Sequence, residues 1–125
     1  MAESRLFDRV GGQPYFDALV ERFYAGVAGD PVLRPLYPDD LQPSKRHLAL
    51  FLGQYWGGPT TYSDERGHPR LRMRHRPFAI GDAERDAWVR HMRAALEASD
   101  ALSELDAGQM WAYLEGAADF LKNTD

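Results

Sequence analysis

His75 has the surroundings that a buried metal ligand needs. It lies in the segment Arg-Leu-Arg-Met-Arg-His-Arg-Pro-Phe (residues 70–78), where arginine occurs at every second position. An imidazole among apolar side chains suits the iron of a porphyrin, and arginines suit the carboxylates on the porphyrin edge. Arg72 and Arg74 are candidates for those contacts, while Leu71 and Phe78 can supply apolar surface. A solvated basic loop that happens to contain one histidine explains the same residues, and spacing alone leaves the two interpretations open.

A short helix over residues 71–76 would favour the metal-ligand interpretation. In such a helix the carbonyl of Leu71, four residues back, can accept a hydrogen bond from one ring nitrogen of His75. That bond would orient the imidazole and leave the other nitrogen for the metal.

Other metal sites have little support in this sequence. There is no cysteine, which excludes disulfides, zinc–thiolate sites and iron–sulfur clusters. The remaining histidines, His47, His68 and His91, show neither the i, i+4 spacing nor the His-Glu-x-x-His motif of a zinc site. We predict that His47 and His91 are surface or structural residues on their helices and that His68 lies in an exposed loop.

Three polar aromatic residues fall at positions that the helix pattern predicts to be apolar. Tyr24, Tyr37 and Trp88 each carry one donor, and buried Tyr and Trp side chains normally find a partner for it. They are either core residues bonded to carbonyls or donors that converge on a small bound ligand. In a haem pocket, donors that converge on the ligand determine how oxygen is held.

The elements that would position these residues are helices. Apolar residues recur with helical spacing in four segments, and no alternating β-branched segment occurs. We predict an all-α fold with a short helix at about 4–10 and longer helices at 14–28, at 44–56 capped by Ser44, at 83–98 capped by Asp82, and from Ser103 or Asp106 onward. Pro- and Gly-rich loops are predicted at 30–43, with one helical turn around 32–37, and at 57–70.

Bulk composition predicts one soluble domain over residues 1–125. The content is 44% hydrophobic and 27% charged, which is ordinary for a globular protein. A net charge of −4 argues against general nucleic-acid binding. No segment has the length of a membrane span, and the N-terminus lacks the apolar segment of a signal peptide, so the expected location is the cytoplasm.

Several strings of this sequence resemble the group II truncated haemoglobins, in particular the O type of actinobacteria. The resemblance covers nearly the whole chain. Its most specific strings are Gln-Tyr-Trp-Gly-Gly-Pro (residues 54–59) and Gly-His-Pro-Arg-Leu-Arg-Met-Arg-His (residues 67–75). Further matches are Val-Gly-Gly (10–12), Arg-Phe-Tyr (22–24), Leu-Tyr-Pro (36–38), Thr-Tyr-Ser (61–63) and Glu-Arg-Asp-Ala-Trp (84–88).

The resemblance implies a truncated globin fold, a two-over-two helical sandwich around haem b. It makes His75 the proximal iron ligand and places Trp88, Tyr24 and Tyr37 on the distal side. It also implies that haem-pocket contacts come from Leu48, Phe51, Leu52, Tyr62 and Arg74. Ser44 falls at the distal-helix position where many globins have histidine or glutamine.

The function that the resemblance implies is oxygen binding at a five-coordinate iron whose polar pocket retains or activates the ligand. An alternative is a haem enzyme, either a nitric oxide dioxygenase or a peroxidase, which would need an external reductase. A cofactor-free helical interaction module is the third hypothesis, and a homodimer is a further expectation.

Overall fold

The computed structural model describes residues 5–99 and 102–123. The described part of the chain is helical and contains no strand, which confirms the all-α prediction. Its α-helices are α1 (Leu6–Arg9), α2 (Gln13–Ala28), α3 (Gln42–Tyr55), α4 (Thr61–Arg66), α5 (Leu71–His75), α6 (Asp82–Glu97) and α7 (Glu104–Phe120). A 3-10 turn at Arg34–Leu36 follows α2, inside the segment predicted to hold one turn.

The long helices form two packed pairs. Helix α2 lies against both α3 and α6, and α6 lies against α7. The shared core is built from fully buried side chains of these helices, among them Phe16 and Phe23 of α2, Leu52 of α3, Met92 of α6 and Met110 of α7. Burying a side chain of this size contributes about 1.5–3 kcal/mol. This two-over-two arrangement agrees with the predicted sandwich. None of the helices in the described residues is long and apolar enough to cross a membrane.

Two of the predicted helix starts were wrong. Helix α3 begins at Gln42, so Ser44 lies inside its first turn and is not the cap. The Asp40 carboxylate accepts from the Gln42 amide at 3.0 Å, and Pro43 is tolerated because it stands at a position without an intrahelical donor. Helix α6 begins at Asp82, and the cap position belongs to Gly81, whose amide donates to Glu84 at 2.8 Å.

Ser103 does cap the last helix, as predicted. Its hydroxyl accepts a hydrogen bond from the Asp106 amide at 3.1 Å. Leu121 lies just beyond the helix end, although it shares the predicted apolar face.

The segment predicted as a loop at 57–70 contains helix α4. Tertiary contacts hold this short helix, because the side-chain amide of Gln54 donates to the Ser63 hydroxyl at 2.7 Å and accepts from the Ser63 backbone amide at 3.0 Å. Gly57 and Gly58 precede it, and a Cβ on Gly58 would lie 2.5 Å from the Phe7 ring. The two glycines thus let α1 approach the end of α3, where the Phe7 amide donates to the Trp56 carbonyl at 3.0 Å.

A buried carboxylate joins the end of α2 to α6. Asp30 is 6% exposed, accepts from the Val32 amide at 2.8 Å and bonds the His91 ring at 2.6 Å. The hydrogen bond with His91, and after it the bond from the Val32 amide, holds the pKa of Asp30 below its usual range. His91 is therefore structural, as predicted, and the junction fixes the helix that carries Trp88.

Candidate functional site

A cavity of about 370 Å³ opens among α3, α5, α6 and α7, inside the usual size range of a small-molecule site. The eleven residues predicted for the site all contribute to its wall. They are Tyr24, Tyr37, Leu48, Phe51, Leu52, Tyr62, Leu71, Arg74, His75, Phe78 and Trp88.

His75 is presented to the cavity by the five-residue helix α5. Its Nδ1 lies 2.6 Å from the carbonyl oxygen of Leu71 and donates to it. A neutral ring that donates through Nδ1 has an unprotonated Nε2, which is the nitrogen that can bind a metal. The structure therefore has the orienting bond that the sequence predicted.

The ends of α5 are fixed by residues outside it. Arg70, just before the helix, adopts a left-handed conformation with φ 45°, and its amide donates to His68 Nδ1 at 3.1 Å. At the other end the Asn123 amide donates to the carbonyls of Phe78 and His75, at 2.8 Å and 3.3 Å. A non-glycine residue with positive φ persists only where its surroundings impose it, so α5 is held in a defined place.

The hydroxyl of Tyr37 is the centre of a polar network in the cavity wall. Tyr37 hydrogen-bonds with Tyr24 and with the Trp88 indole, whose N–H can only donate, and Tyr24 also hydrogen-bonds with Ser44. Burial raises the pKa of Tyr37 to about 12, even though its bonds with Tyr24 and Trp88 lower it. Burial likewise raises the pKa of Tyr24, and Tyr37 adds to that increase. Both phenols are therefore neutral at physiological pH and can donate hydrogen bonds.

Ring contacts keep this network in place. The fully buried Phe23 ring meets Tyr24 at 5.1 Å and Trp88 at 5.3 Å, both edge to face. Tyr24 meets Tyr37 in the same way at 5.4 Å. Helices α2 and α6 thus hold the donors of Tyr24 and Trp88 beside the loop that carries Tyr37.

Only one of the two arginines predicted to contact the porphyrin carboxylates, Arg74, lines the cavity. Arg74 lines the wall, but two of its donors are bound to the carbonyls of Pro69 and Arg66, at 2.8 Å and 3.1 Å. It therefore braces the turn before α5 as well as facing the cavity. Arg72 is not among the lining residues and instead stands over the Phe120 ring at 4.9 Å.

The sequence-based prediction missed several polar lining residues, among them His47. We predicted a surface or structural histidine, but His47 lines the cavity with its Nε2 3.1 Å from an Arg66 nitrogen. Its pKa is lowered by burial first and then by Arg66. Helical spacing from Ser44 to His47 and on to Phe51 was the signal that could have placed it on the same face of α3.

The arrangement of side chains fits a haem group. The oriented imidazole of His75 has a free nitrogen in the cavity, and most of the wall is apolar. Phenol and indole side chains meet at one place in that wall. The cations of Arg66 and Arg74 also line it. A helical sandwich with such a cavity is the architecture of a globin. The chain is a member of the bacterial-like globin family, whose model matches residues 5–122.

Comparisons with individual proteins agree with this family. The chain is 44% identical over 86 residues to the group 2 truncated hemoglobin YjbI of Bacillus subtilis, covering 69% of this chain and 65% of that protein. The hemoglobin of Chloroflexus aurantiacus superposes with a TM-score of 0.94 at 50% identity, over 97% and 99% of the two chains. The thermostable hemoglobin of Thermobifida fusca gives 0.91 at 53% identity, over 96% and 98%. The resemblance to truncated haemoglobins is therefore confirmed, and family membership implies haem and diatomic ligands.

Proposed function

We propose that this protein binds haem b through His75 alone and retains or activates oxygen at the resulting five-coordinate iron. The observation that carries the proposal is the 2.6 Å bond from His75 Nδ1 to the Leu71 carbonyl, which leaves Nε2 free in the cavity. When bound, the haem supplies an iron centre that takes up oxygen and related diatomic molecules. Leu48, Phe51, Leu52, Tyr62, Leu71 and Phe78 provide wall contacts, and Arg74 provides a cation for a carboxylate.

Tyr37 is the residue that we assign to direct ligand contact. We infer that Tyr24, like the Trp88 indole, donates to the Tyr37 oxygen, which leaves the Tyr37 proton free for another acceptor. A diatomic ligand that carries partial negative charge is such an acceptor, and a neutral phenol in a mostly apolar cavity binds it well. Tyr24 and Trp88 hold Tyr37 in place and strengthen its O–H as a donor. The pocket therefore favours slow release over rapid delivery.

A haem enzyme of the peroxidase type is the second candidate function. Four tyrosines, Tyr24, Tyr37, Tyr62 and Tyr113, line the cavity, and phenols can give up electrons singly. A nitric oxide dioxygenase is the related alternative that also uses the polar pocket. Sustained turnover with an added cellular reductase would separate either enzyme from a simple oxygen binder.

The decisive experiment is an absorption spectrum of the purified protein with His75→Ala and His68→Asn variants. We expect the haem band in the parent protein and in His68→Asn, because His68 is exposed and does not line the cavity, and the asparagine oxygen can replace Nδ1 as acceptor for the Arg70 amide. His75→Ala should lose the band or show a changed iron coordination. A parent-like spectrum from His75→Ala would overturn the proposed ligand, and a parent protein without haem would support an interaction module.

Three further expectations belong to the same proposal. We propose a cytoplasmic location, an external reductase as electron source and a homodimer. Cell fractionation tests the first, reduction of the ferric protein by cell extract tests the second, and light scattering during gel filtration tests the third.

A further inference from the structure

The segment that contains the short helix α5 concentrates positive charge on an acidic protein. Residues 66–81 contain five of the 15 Lys and Arg residues of the chain and none of its 19 Asp and Glu residues. The segment therefore has a formal charge of +5, while the rest of the chain has −9. Such a separation of charge creates a field that attracts acidic partners to one side of the molecule and repels them from the others.

The arginines of this segment are not neutralised by carboxylates of the protein. Among the described residues, every ion pair uses a cation from outside the segment. Arg66 and Arg74 line the cavity, where they suit the haem carboxylates. The other three, Arg70, Arg72 and Arg76, are exposed and do not line it. Their charge therefore stays open to a partner after haem has bound.

Apolar side chains lie beside these exposed cations. Met73 of α5 is 52% exposed, and Phe120 at the end of α7 is 56% exposed. The Arg72 guanidinium stands over the Phe120 ring at 4.9 Å, which brings both helices to one surface. Apolar residues within a charged rim are typical of a protein-docking surface. We call this surface the α5 face and define it by Arg70, Arg72, Met73, Arg76 and Phe120.

An open groove extends the α5 face toward the backbone of the proposed iron ligand. It is lined by Arg76, Pro77, Phe78, Ala79 and Asn123. The exposed Asn123 side chain donates to the His75 carbonyl at 3.3 Å. A protein bound at the groove would thus contact a side chain that is itself hydrogen-bonded to His75. The path from this surface to the iron passes through only two residues.

We propose that the α5 face is the docking surface for an acidic electron-carrier protein that reduces the iron. The inference rests on the proposed haem function and names the class of its external reductase. One electron leaves a reduced flavin or iron–sulfur centre of the partner and one electron is gained by the ferric iron, so no bond forms or breaks. One short helix and its flanking residues suit the small, transient interfaces of electron-transfer complexes.

The charge outside the segment favours a compact partner over an extended polyanion. A nucleic acid or an anionic membrane would also approach the surrounding surface, and the residues outside 66–81 have a net charge of −9 that repels it. A small acidic protein can contact the α5 face alone. The same field orients such a protein before contact and so speeds its association.

The test uses a reduced, acidic [2Fe–2S] ferredoxin as the probe. Anaerobic stopped-flow absorption measures how fast it reduces the haem-loaded ferric protein. In Arg70→Glu and in Arg76→Glu the bimolecular rate should fall by about tenfold at an ionic strength of about 0.01 M. The difference should shrink at about 0.15 M, where charges more than about 8 Å apart are screened.

Arg93→Glu is the matched control for these charge reversals. Arg93 is an exposed arginine of α6 outside the α5 face, and its replacement changes the net charge by the same amount. This variant should keep nearly the parent rate. Photoreduced riboflavin, which needs no docking surface, should reduce the parent and all of these variants equally, and this result would confirm an intact haem site.

Met73→Gln separates apolar contact from electrostatic attraction. It removes exposed apolar surface without changing the charge, and the two residues have similar helix propensities. The ferredoxin concentration at which the rate saturates should rise roughly threefold, as for an interface contact of moderate strength. The salt dependence of the rate should match that of the parent protein.

Two results would overturn the docking surface. The first is equal slowing of ferredoxin reduction by Arg76→Glu and Arg93→Glu, which would assign the effect to net charge alone. The second is a parent-like rate in Arg76→Glu together with loss of self-association on gel filtration or of binding to anionic lipid vesicles. That pair of results would assign the α5 face to a second copy or to a membrane. A parent protein without the haem band would instead overturn the proposed function beneath it.

Discussion

Tyr37 bonds two other polar side chains of the cavity. Tyr24 and Trp88 both hydrogen-bond with it, and Ser44 bonds in turn with Tyr24. Each of these bonds satisfies a polar group that would otherwise cost about 1–3 kcal/mol when buried without a partner. In the proposed arrangement, in which Tyr24 donates to Tyr37, the last free proton of this chain belongs to Tyr37. At the residue scale, ligand retention therefore depends on one hydroxyl that three other side chains hold in place.

Replacement of Tyr37 by phenylalanine should speed oxygen release. Loss of one net hydrogen bond of about 0.5–1.5 kcal/mol corresponds to an increase of about two- to tenfold in the dissociation rate. The freed Trp88 N–H can turn to the ligand in this variant, so Tyr37→Phe/Trp88→Phe should release oxygen faster still. Stopped-flow measurement gives these rates. Tyr24→Phe, which keeps the direct donor, should have the smaller effect, and the reverse order would assign ligand contact to Tyr24.

The alkaline pH dependence of oxygen release tests the same assignment. Because the pKa of Tyr37 is raised to about 12, the donating, protonated form persists well beyond the pH at which an ordinary tyrosine with a pKa near 10 is half ionised. The dissociation rate should therefore stay constant from neutral pH to about pH 10 and rise only above it. Tyr37→Phe should show no such alkaline rise. An increase centred near pH 10 in the parent protein would contradict the burial of this phenol.

At the scale of single elements, α5 is positioned almost entirely by its neighbours. Five residues are too few for a helix to be stable alone. Arg74 ties it to the turn before it, and Asn123 beyond α7 ties its end to the rest of the protein. The sequence predicted the helix and its histidine, since the Leu71-to-His75 spacing is local. It gave no signal for Asn123, because that contact spans 48 residues.

Helix α2 and helix α6 approach each other closely at Gly26, which makes this glycine a test of their contact. A Cβ there would lie 2.4 Å from His91 Nδ1, and the His91 ring is fixed by its 2.6 Å bond to Asp30. Gly26→Ala should therefore destabilise the protein by about 1–3 kcal/mol through overpacking. Urea unfolding provides the measurement.

Gly116 of α7 is the matched control for this substitution. An added Cβ at Gly116 meets nothing within 4 Å, so Gly116→Ala should be neutral or stabilising by up to about 1 kcal/mol. Equal effects at the two positions would show that helix propensity, and not the α2–α6 contact, determines the outcome.

For the molecule as a whole, periodic features were predictable and long-range ones were not. Apolar spacing predicted the four long helices, and Ser103 was found as a cap because its bond to Asp106 is local. The start of α3 was missed because the Asp40 carboxylate in the preceding loop binds the Gln42 amide, and α4 was missed because Gln54 holds it from outside. The cavity residue His47 was missed because a histidine beside charged residues looks like a surface position until the helix face is known.

Binding of haem should be linked to the stability of the whole protein. The cavity wall contains residues from α2 to Leu121, just beyond α7. A group that binds only the folded state therefore stabilises the whole fold at once. At free haem about 100-fold above its dissociation constant, the gain in unfolding free energy should be about 2.7 kcal/mol. Urea titrations of the apoprotein and the haem-loaded protein measure this gain as a shift of the midpoint. His75→Ala should show a smaller midpoint shift because its iron ligand is missing. Trp88→Phe keeps His75 and should show nearly the same midpoint shift as the parent protein. An equal midpoint with and without haem in the parent protein would mean that the cavity does not bind the group.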